Sequence, residues 1–373
     1  METYRLSSKL NQEKTEYLIQ TVNDANRGAV STMVYINGAL AETINCPHPA
    51  QVKPEEVLSL VKLAHAEKKK ELETLLQTFR RVMDSGNTEL MYQLGTAFYY
   101  KGFYTEAREL FQAAATIKRD YHQAINYLGL TELELGNIEQ AIDAARDAAQ
   151  MRPGYADYLN NLGEALLSDN RTRQAIEAFE RAIGINMYYS EAYFNLGLAH
   201  MLEALLHPQA MAWDDRLARI EDNFHKAALI YAEYRTQEFD AARELVVKRD
   251  LSQALTVFKR IREARRETSR RELAAFYMKL ALFPEWASEK VVADRIQFLE
   301  REINRNPTYV DLQAELSLCY LEQARMIWQK GVEQYRKTHE LNPSLRKVRF
   351  SMEEAENTYE DISITLRKIT EQG

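Results

Sequence analysis

The sequence predicts a mainly α fold, a solenoid of antiparallel helix pairs, with a small antiparallel β-sheet at its N-terminal end. Three observations predict it. A Leu-Gly pair recurs at Leu94-Gly95, Leu128-Gly129, Leu162-Gly163 and Leu196-Gly197, each step being 34 residues. Small and aromatic residues recur in register with it, which makes the period a structural unit and not a chance dipeptide. The first fifty residues are different: "TYRLSSKL", "TEYLIQTV" and "AVSTMVYI" are rich in β-branched and aromatic residues.

The N-terminal elements follow in order. Residues 1–50 read as about four strands, with Asn37-Gly38 forming a tight type I′ hairpin. Such a sheet is marginal alone and needs a covering surface. Residues 51–86 supply a helix. From Pro54 onward Val57, Leu60, Val61 and Ala64, then Leu72, Leu75, Leu76, Phe79 and Val82, recur at helical spacing until Gly86. The polar "HAEKKKE" divides this helix, so one end is expected to cover the sheet and the other to meet the first repeat. Two roles are open for the sheet: a cap on the first helices, or an edge offered to another chain. "TEYLIQTV" has no proline and few charges, so it lacks the usual blockers of edge pairing.

Residues 87–203 hold the regular units. Ala107, Ala141 and Ala175 form one column, Ala114, Ala148 and Ala182 another, and Phe111, Ala145 and Phe179 a third. Gly102, Gly136 and Asn170 stand where a first helix must end in a left-handed residue. Tyr121, Tyr155 and Tyr189 mark the ends of the units, and Pro153 falls where a second helix must stop. Each unit reads as helix, turn, helix.

Residues 204–343 continue as degenerate pairs. Phe224 and Ala227 begin the second helix of a delayed fourth unit, Ala254 and Phe258 belong to a fifth, and Pro307-Thr308-Tyr309 and Pro343 close later helices. Residues 344–373 read as a terminal helix, since a solenoid needs a polar cap.

Composition limits the function. Hydrophobic residues make up 46% and charged residues 28% of 373, as in a folded soluble protein. A net charge of -7 gives no general attraction to nucleic acid or an anionic membrane, so neither is expected as a partner. Cys46 and Cys319 are the two cysteines, without metal-ligand spacing, and point to a reducing, cytoplasmic setting. No signal-peptide core and no run of about 18 apolar residues is present. Neither G-x-x-x-x-G-K-[ST] nor G-x-G-x-x-G occurs, the histidines are dispersed, and His200 and His207 read as exposed helix-end residues without a third ligand. The chain is expected to be no enzyme and to need no cofactor and no metal.

The columns of 88–203 resemble the tetratricopeptide repeat (TPR). The resemblance implies a right-handed α-solenoid whose first helices line a concave groove for a partner peptide. Carried onto this sequence, the groove positions include Glu89, Tyr92 and Tyr99 in the first unit and Asn126 in the second. The third gives Asp157, Asn160, Asn161 and Glu164, and the fourth Glu191, Phe194 and Asn195. Of these, Tyr92, Tyr99, Asn126, Asn160, Asn161, Glu164, Phe194 and Asn195 are the peptide-binding candidates. Asn161 and Asn195 match the asparagine that bonds a bound peptide's main chain in many family members, a task suited to an amide that donates and accepts. The alternative is that these are solvated helix residues.

Members that grip acidic C-termini line the groove with Lys and Arg. Here Glu89, Asp157 and Glu191 occupy such positions, so the expected partner is a basic or neutral protein segment, outside the carboxylate-clamp type. Self-association is the alternative function, through the sheet or the C-terminal repeats. The tyrosine column reads as packing against the next helix pair. "KRIREARRETSRR" (259–271) carries seven basic residues interrupted by Glu263 and Glu267. It reads as a solvated helix end, with an acidic protein partner as the functional alternative.

Overall fold

The computed structural model describes residues 4–12, 15–24, 28–48, 53–281, 289–305, 310–343 and 346–372. Strands β1 (Arg5–Gln12), β2 (Thr15–Asp24), β3 (Ala29–Ile36) and β4 (Ala39–Pro47) form an antiparallel meander in the order β1-β2-β3-β4. Asn37 and Gly38 both have positive φ, 49° and 84°, as a type I′ hairpin requires. "TEYLIQTV" lies in β2, which pairs with β1 on one side and β3 on the other. It is an interior strand, so the edge expected there falls instead on β1 and β4. Its few charges and β-branched character go with a strand paired on both sides, not with an open edge.

Helix α1 (Pro54–Ser85) covers the sheet with its first half and the first repeat with its second. Val57 and Val61 are fully buried, and His65 lies between Ser8 Oγ at 2.8 Å and Thr21 Oγ1 at 3.1 Å. Further along, Leu72, Leu75, Leu76 and Phe79 join the core of the first repeat, Phe79 meeting Phe98 edge-on at 6.0 Å. Burying each such side chain stabilises by about 1.5–3 kcal/mol, which is how a marginal sheet becomes part of the array. Charges tie the same three elements together. Lys68 and Lys101 each reach both Glu42 on β4 and Glu71 on α1, at 2.6–3.2 Å, with both ammonium groups almost wholly buried. Tyr17 on β2 also donates to the Glu106 carboxylate and packs against the Phe103 ring.

The regular array comprises α2 (Thr88–Lys101), α3 (Tyr104–Ile117), α4 (His122–Glu134), α5 (Ile138–Met151), α6 (Ala156–Ser168), α7 (Thr172–Ile185), α8 (Ser190–Leu206) and α9 (Trp213–Ile230). The recurrent glycine is explained by its neighbour. A Cβ on Gly95, Gly163 or Gly197 would lie 2.7, 2.5 or 2.9 Å from the ring of Phe111, Phe179 or Phe224. Where the phenylalanine column carries Ala145, the helix backbones fill the space themselves: a Cβ on Gly129 would meet Ala145 N at 3.1 Å. Phe224 thus occupies the column predicted for the delayed fourth unit. Asn170, with φ 60°, ends the first helix of the third unit, and Arg249, with φ 65°, follows the first helix of the fifth.

The tyrosine column packs backward. Tyr121 donates to Glu89 on α2 at 2.6 Å and lies against Tyr92, while Tyr155 lies against His122 on α4. Each of these tyrosines contacts the first helix of the preceding unit, whereas the sequence reading had it on the next pair. His200 departs from its expected place too: it is interior to α8 and half-buried.

Beyond the array come α10 (Gln237–Val247), α11 (Leu251–Ala281), α12 (Glu289–Arg305), α13 (Val310–Leu341) and α14 (Arg346–Gln372). A three-residue 3₁₀ turn at Ala232–Tyr234 precedes α10. Helices α10 and α11 begin as the fifth pair, with Phe258 stacked on Phe224 at 3.9 Å. Helix α11 does not stop at the length of a repeat helix but continues for 31 residues. Helices α12 and α13 share a separate core of Val292, Ile296, Leu299 and Cys319. Helix α14 packs on α13, with Trp328 Nε1 donating to Ala355 O at 2.9 Å. Pro307 and Tyr309 lie outside the described residues.

Candidate functional site

The first helices α2, α4, α6 and α8 lie side by side, each touching the next, and form the inner row of the array. Their inward residues bond in a ladder that crosses the units. Asn161 Nδ2 donates to Asn126 Oδ1 at 3.0 Å, and Asn195 Nδ2 donates to Asn160 Oδ1 at 3.0 Å and to Glu164 Oε1 at 2.8 Å. Asn160 Nδ2 also donates to Glu164 at 3.1 Å. The paired asparagines stand 35 residues apart, one more than the period, so each bond joins adjacent columns of successive units.

Helix α11 runs along this row. It lies against α8, reaches α6 through Arg266, and lies against α2. Arg266 donates to both oxygens of Glu164 and, at 3.3 Å, to Glu191. One turn earlier Arg262 Nη1 reaches Asn195 Oδ1 at 3.4 Å. Arg265 lies over the rings of Tyr231 and Tyr234 at 4.3 and 5.0 Å, and Arg260 donates to Glu238 on α10 at 2.8 Å. The basic run is therefore interior to a helix and not at its end; Lys259 and Arg260 are exposed, while Arg262, Arg265 and Arg266 are partly buried. These four arginines are bound by the acidic, amide and aromatic residues of the chain's own array. Five-donor guanidinium groups suit that arrangement, because one side chain can bridge two carboxylates.

The electrostatics follow from burial and pairing. Burial pushes the Glu164 carboxyl upward, but Arg266 and Arg262, with hydrogen bonds from Arg266 and Asn160, outweigh it and hold the pKa below the ordinary carboxylate value. Burial opposes the Arg266 charge, and Glu164 and Glu191 outweigh that in turn, raising its pKa well above the usual arginine value. Burial, reinforced by Arg219, pushes His200 down to about 4 against the opposing pull of Glu203.

The predicted residues divide accordingly. Asn160, Glu164 and Asn195 come together in the seat of Arg262 and Arg266. Tyr99 is close enough to Arg266 to influence its charge and packs edge-on against Tyr100, Tyr104 and Tyr127. Asn126 and Asn161 pair with each other one unit away. Tyr92 sits among Phe111, Tyr121 and Tyr127. Phe194 is fully buried against Phe224, Tyr234 and Phe258, so it is a core residue and presents no surface to a ligand. Asn195, also fully buried, spends its amide on side chains and not on an extended peptide. Sequence reasoning missed Arg262 and Arg266 as groove residues, although their spacing of four, one helical turn, was visible.

A cavity of about 310 Å³ remains beside α11, lined by Glu134, Leu198, Leu202, Lys259, Arg262 and Arg266 among others. Among the described residues no group of three or more His, Cys, Asp or Glu stands ready for a metal ion. No described helix is long and apolar enough to cross a membrane.

The tetratricopeptide repeat family model matches residues 92–156, 127–190 and 160–223 in overlapping frames. No curated protein matches the chain. Among solved structures the chain is similar to MamA 41-end from Desulfovibrio magneticus RS-1, at 18% identity over 47% of this chain and 97% of that one, with a TM-score of 0.36. It is also similar to TTC0263, a thermophilic TPR protein in Thermus thermophilus, at 17% identity over 63% and 100%, with a TM-score of 0.34. PilF of Pseudomonas aeruginosa is similar at 18% identity over 62% and 99%, with a TM-score of 0.37. At such low TM-scores none of these bears on a partner. The repeat columns, the stacked helix pairs and the family matches agree that residues 92–223 are tetratricopeptide repeats.

Proposed function

We propose that the chain is a non-enzymatic interaction scaffold whose inner helix row holds a basic protein segment. TPR arrays serve protein binding in general, and one observation supports the finer reading. The inner row already holds such a segment, α11, by Glu164, Glu191 and Asn195. A preformed row of stacked helices binds without having to order itself first, so little of the contact energy is lost to entropy. The acidic lining disfavours an acidic C-terminus as partner. Arg260, Arg265 and Arg266 are engaged with carboxylates and tyrosines, which supports a protein over a nucleic acid. The two cysteines, Cys46 and Cys319, stand far apart in the sequence and without metal-ligand spacing, which supports a reducing, cytoplasmic setting.

The test is titration of the full chain with two labelled peptides, one helical with arginines at positions i and i+4, the other ending in an acidic C-terminus. The basic peptide is expected to bind and the acidic one not. Preferential binding of the acidic peptide would refute the reading.

A second reading is self-association through the C-terminal helices. Large apolar side chains on α13 support it, Ile327 being 58% and Leu341 87% exposed. Light scattering across a concentration series tests it, a constant monomer mass counting against it.

A further inference from the structure

We propose that α11 closes the inner row in cis, and that a second, arginine-bearing helix from another protein takes the same seat by displacing it. The inference rests on the scaffold reading above and adds the chemistry of the partner and the state in which the row accepts it. Four observations carry it.

The seat is selective for charge. Glu164 and Glu191 converge on one guanidinium, and Asn195 Oδ1 faces a second, one turn away. Side chains four residues apart on a helix lie on one face, so the seat reads a pair of arginines at i and i+4. Acidic groups at those positions would be repelled.

The cis helix fits this seat unevenly. Arg266 is well bonded, but Arg262 reaches Asn195 only at 3.4 Å and Glu263 only at 3.6 Å, and its Nε is buried with no acceptor. A buried donor left unsatisfied is a cost that a better-fitting helix avoids.

The contact is not sealed like a core. Arg266 and Glu191 remain about a quarter exposed, and the 310 Å³ cavity runs beside the helix. Water therefore reaches the Arg266–Glu191 pair, and salt screens it, while the Glu164 carboxylate beneath stays buried.

The remaining observation is the way α11 is anchored. Its first turns are fixed, with Ala254 and Phe258 buried in the core of the array. Past Phe258 the helix is held by Ile261, which packs at the margin of that core, by the arginine contacts and by its run against α2. The part that competes is thus residues 259–281, and its displacement leaves the fifth helix pair intact.

The experiment uses the full chain and, as probe, a fluorescent synthetic peptide with the sequence of residues 259–281. Two chains are compared, wild type and the double variant Arg262→Glu/Arg266→Glu, whose own helix is repelled from Glu164 and Glu191. If the row is occupied in cis in all but a few per cent of molecules, the wild type binds the peptide at least tenfold more weakly than the opened variant, since apparent affinity scales with the competent fraction. Adding Glu191→Lys to the opened variant is expected to reverse the gain. Equal affinity of wild type and variant, or no effect of Glu191→Lys, overturns the exclusion while leaving the scaffold reading standing. Absence of binding by either chain overturns both.

Amide hydrogen exchange of the wild type alone keeps the proposal testable should the variant fail to fold. Saturating peptide is expected to speed exchange in 259–281 while α6 and α8 stay protected. Unchanged exchange there with peptide bound overturns the displacement.

Discussion

Replacing Gly163 by alanine sets two opposed effects against each other, and the structure decides the sign. In a helix interior alanine is favoured over glycine by about 1 kcal/mol, because glycine loses more backbone freedom on folding. At Gly163 the new Cβ would lie 2.5, 2.7 and 2.8 Å from three carbons of the Phe179 ring. Ordinary carbon contacts need about 3.5–4 Å, so the ring must retreat by roughly 1 Å. Phe179 is fully buried. Overpacking of this kind typically costs about 1–3 kcal/mol, and contact with three ring atoms belongs in the upper part of that range. The net expectation is a loss of about 1–2 kcal/mol. Gly184 provides the internal control: it lies in α7, and a Cβ there meets nothing within 4 Å. Gly184→Ala should therefore keep most of the propensity gain and stabilise by up to about 1 kcal/mol. Urea melts followed by helical circular dichroism compare the two. A Phe179→Leu background should remove most of the Gly163→Ala penalty, a coupling of about 1–3 kcal/mol between the sites. Equal effects of the two glycine changes, or no coupling to residue 179, would refute the packing argument.

Other expectations follow from named contacts. Asn195→Ala deprives Asn160 and Glu164 of a donor inside the array and should lower stability by about 1–3 kcal/mol, read by the same melts; an unchanged melt would mean the amide ladder is not formed. Lys101→Met leaves Glu42 and Glu71 with Lys68 alone, and, discounted for the partial exposure of the carboxylates, should cost about 1–2 kcal/mol. In the wild type, burial opposes the Glu71 charge but Lys101 and Lys68 hold its pKa low; its contribution is present above the ordinary carboxylate value and is lost as pH falls through the lowered one. Lys101 is the mirror case: burial opposes its charge, Glu42 and Glu71 raise its pKa, and its contribution is lost only as pH rises through that raised value. His200 should stay neutral in the folded chain down to about pH 4. The unfolded chain binds that proton from about pH 6.5 downward, so stability falls between those values, and His200→Gln should remove this part of the acid sensitivity in melts at about pH 7 and about pH 5. Deleting residues 1–50 strips the cover from Val57 and Val61 and removes Tyr17 from Glu106, so the truncated chain should aggregate or melt earlier; a stable, monodisperse 51–373 fragment would show that the sheet is dispensable for folding.

Most of the array was legible because repeats write their packing at a fixed period. The glycine at 95, 129 and 163 lies sixteen residues before the phenylalanine column of its own unit. That interval is the path through one turn, so close approach of two helices appears in the sequence as a local rule. The exception, Ala145 for phenylalanine, is compensated where it occurs, since Gly129 then meets backbone instead of a ring. The Asn37-Gly38 hairpin was legible for a similar reason, as two adjacent residues with positive φ permit few other turns. The strand order was not. Uncharged β-branched residues mark a strand buried by its neighbours as well as one with an open edge, and only pairing on both sides distinguishes the two.

The inner row was half legible for a different physical reason. Its residue types were visible as a column, but the identity of their partner depends on the path of α11. Arg266 and Glu164 stand 102 positions apart, outside any period of the repeat. Charge patterning along 259–271 is equally compatible with a solvated helix, because Glu263, three residues from Arg260 and Arg266, and Glu267, four before Arg271, satisfy the local pairing criterion for one. What breaks the tie is length. A repeat helix of 14 residues, such as α7, turns back into the next unit, whereas 31 residues at about 1.5 Å each make a rod of about 46 Å. Such a rod can cross several first helices at once, and once it does, the acidic column and the basic run each explain the other. The groove was read as wanting a basic segment, and an acidic partner was the functional alternative for a run read first as a solvated helix end; the fold joins two inferences that the sequence kept apart.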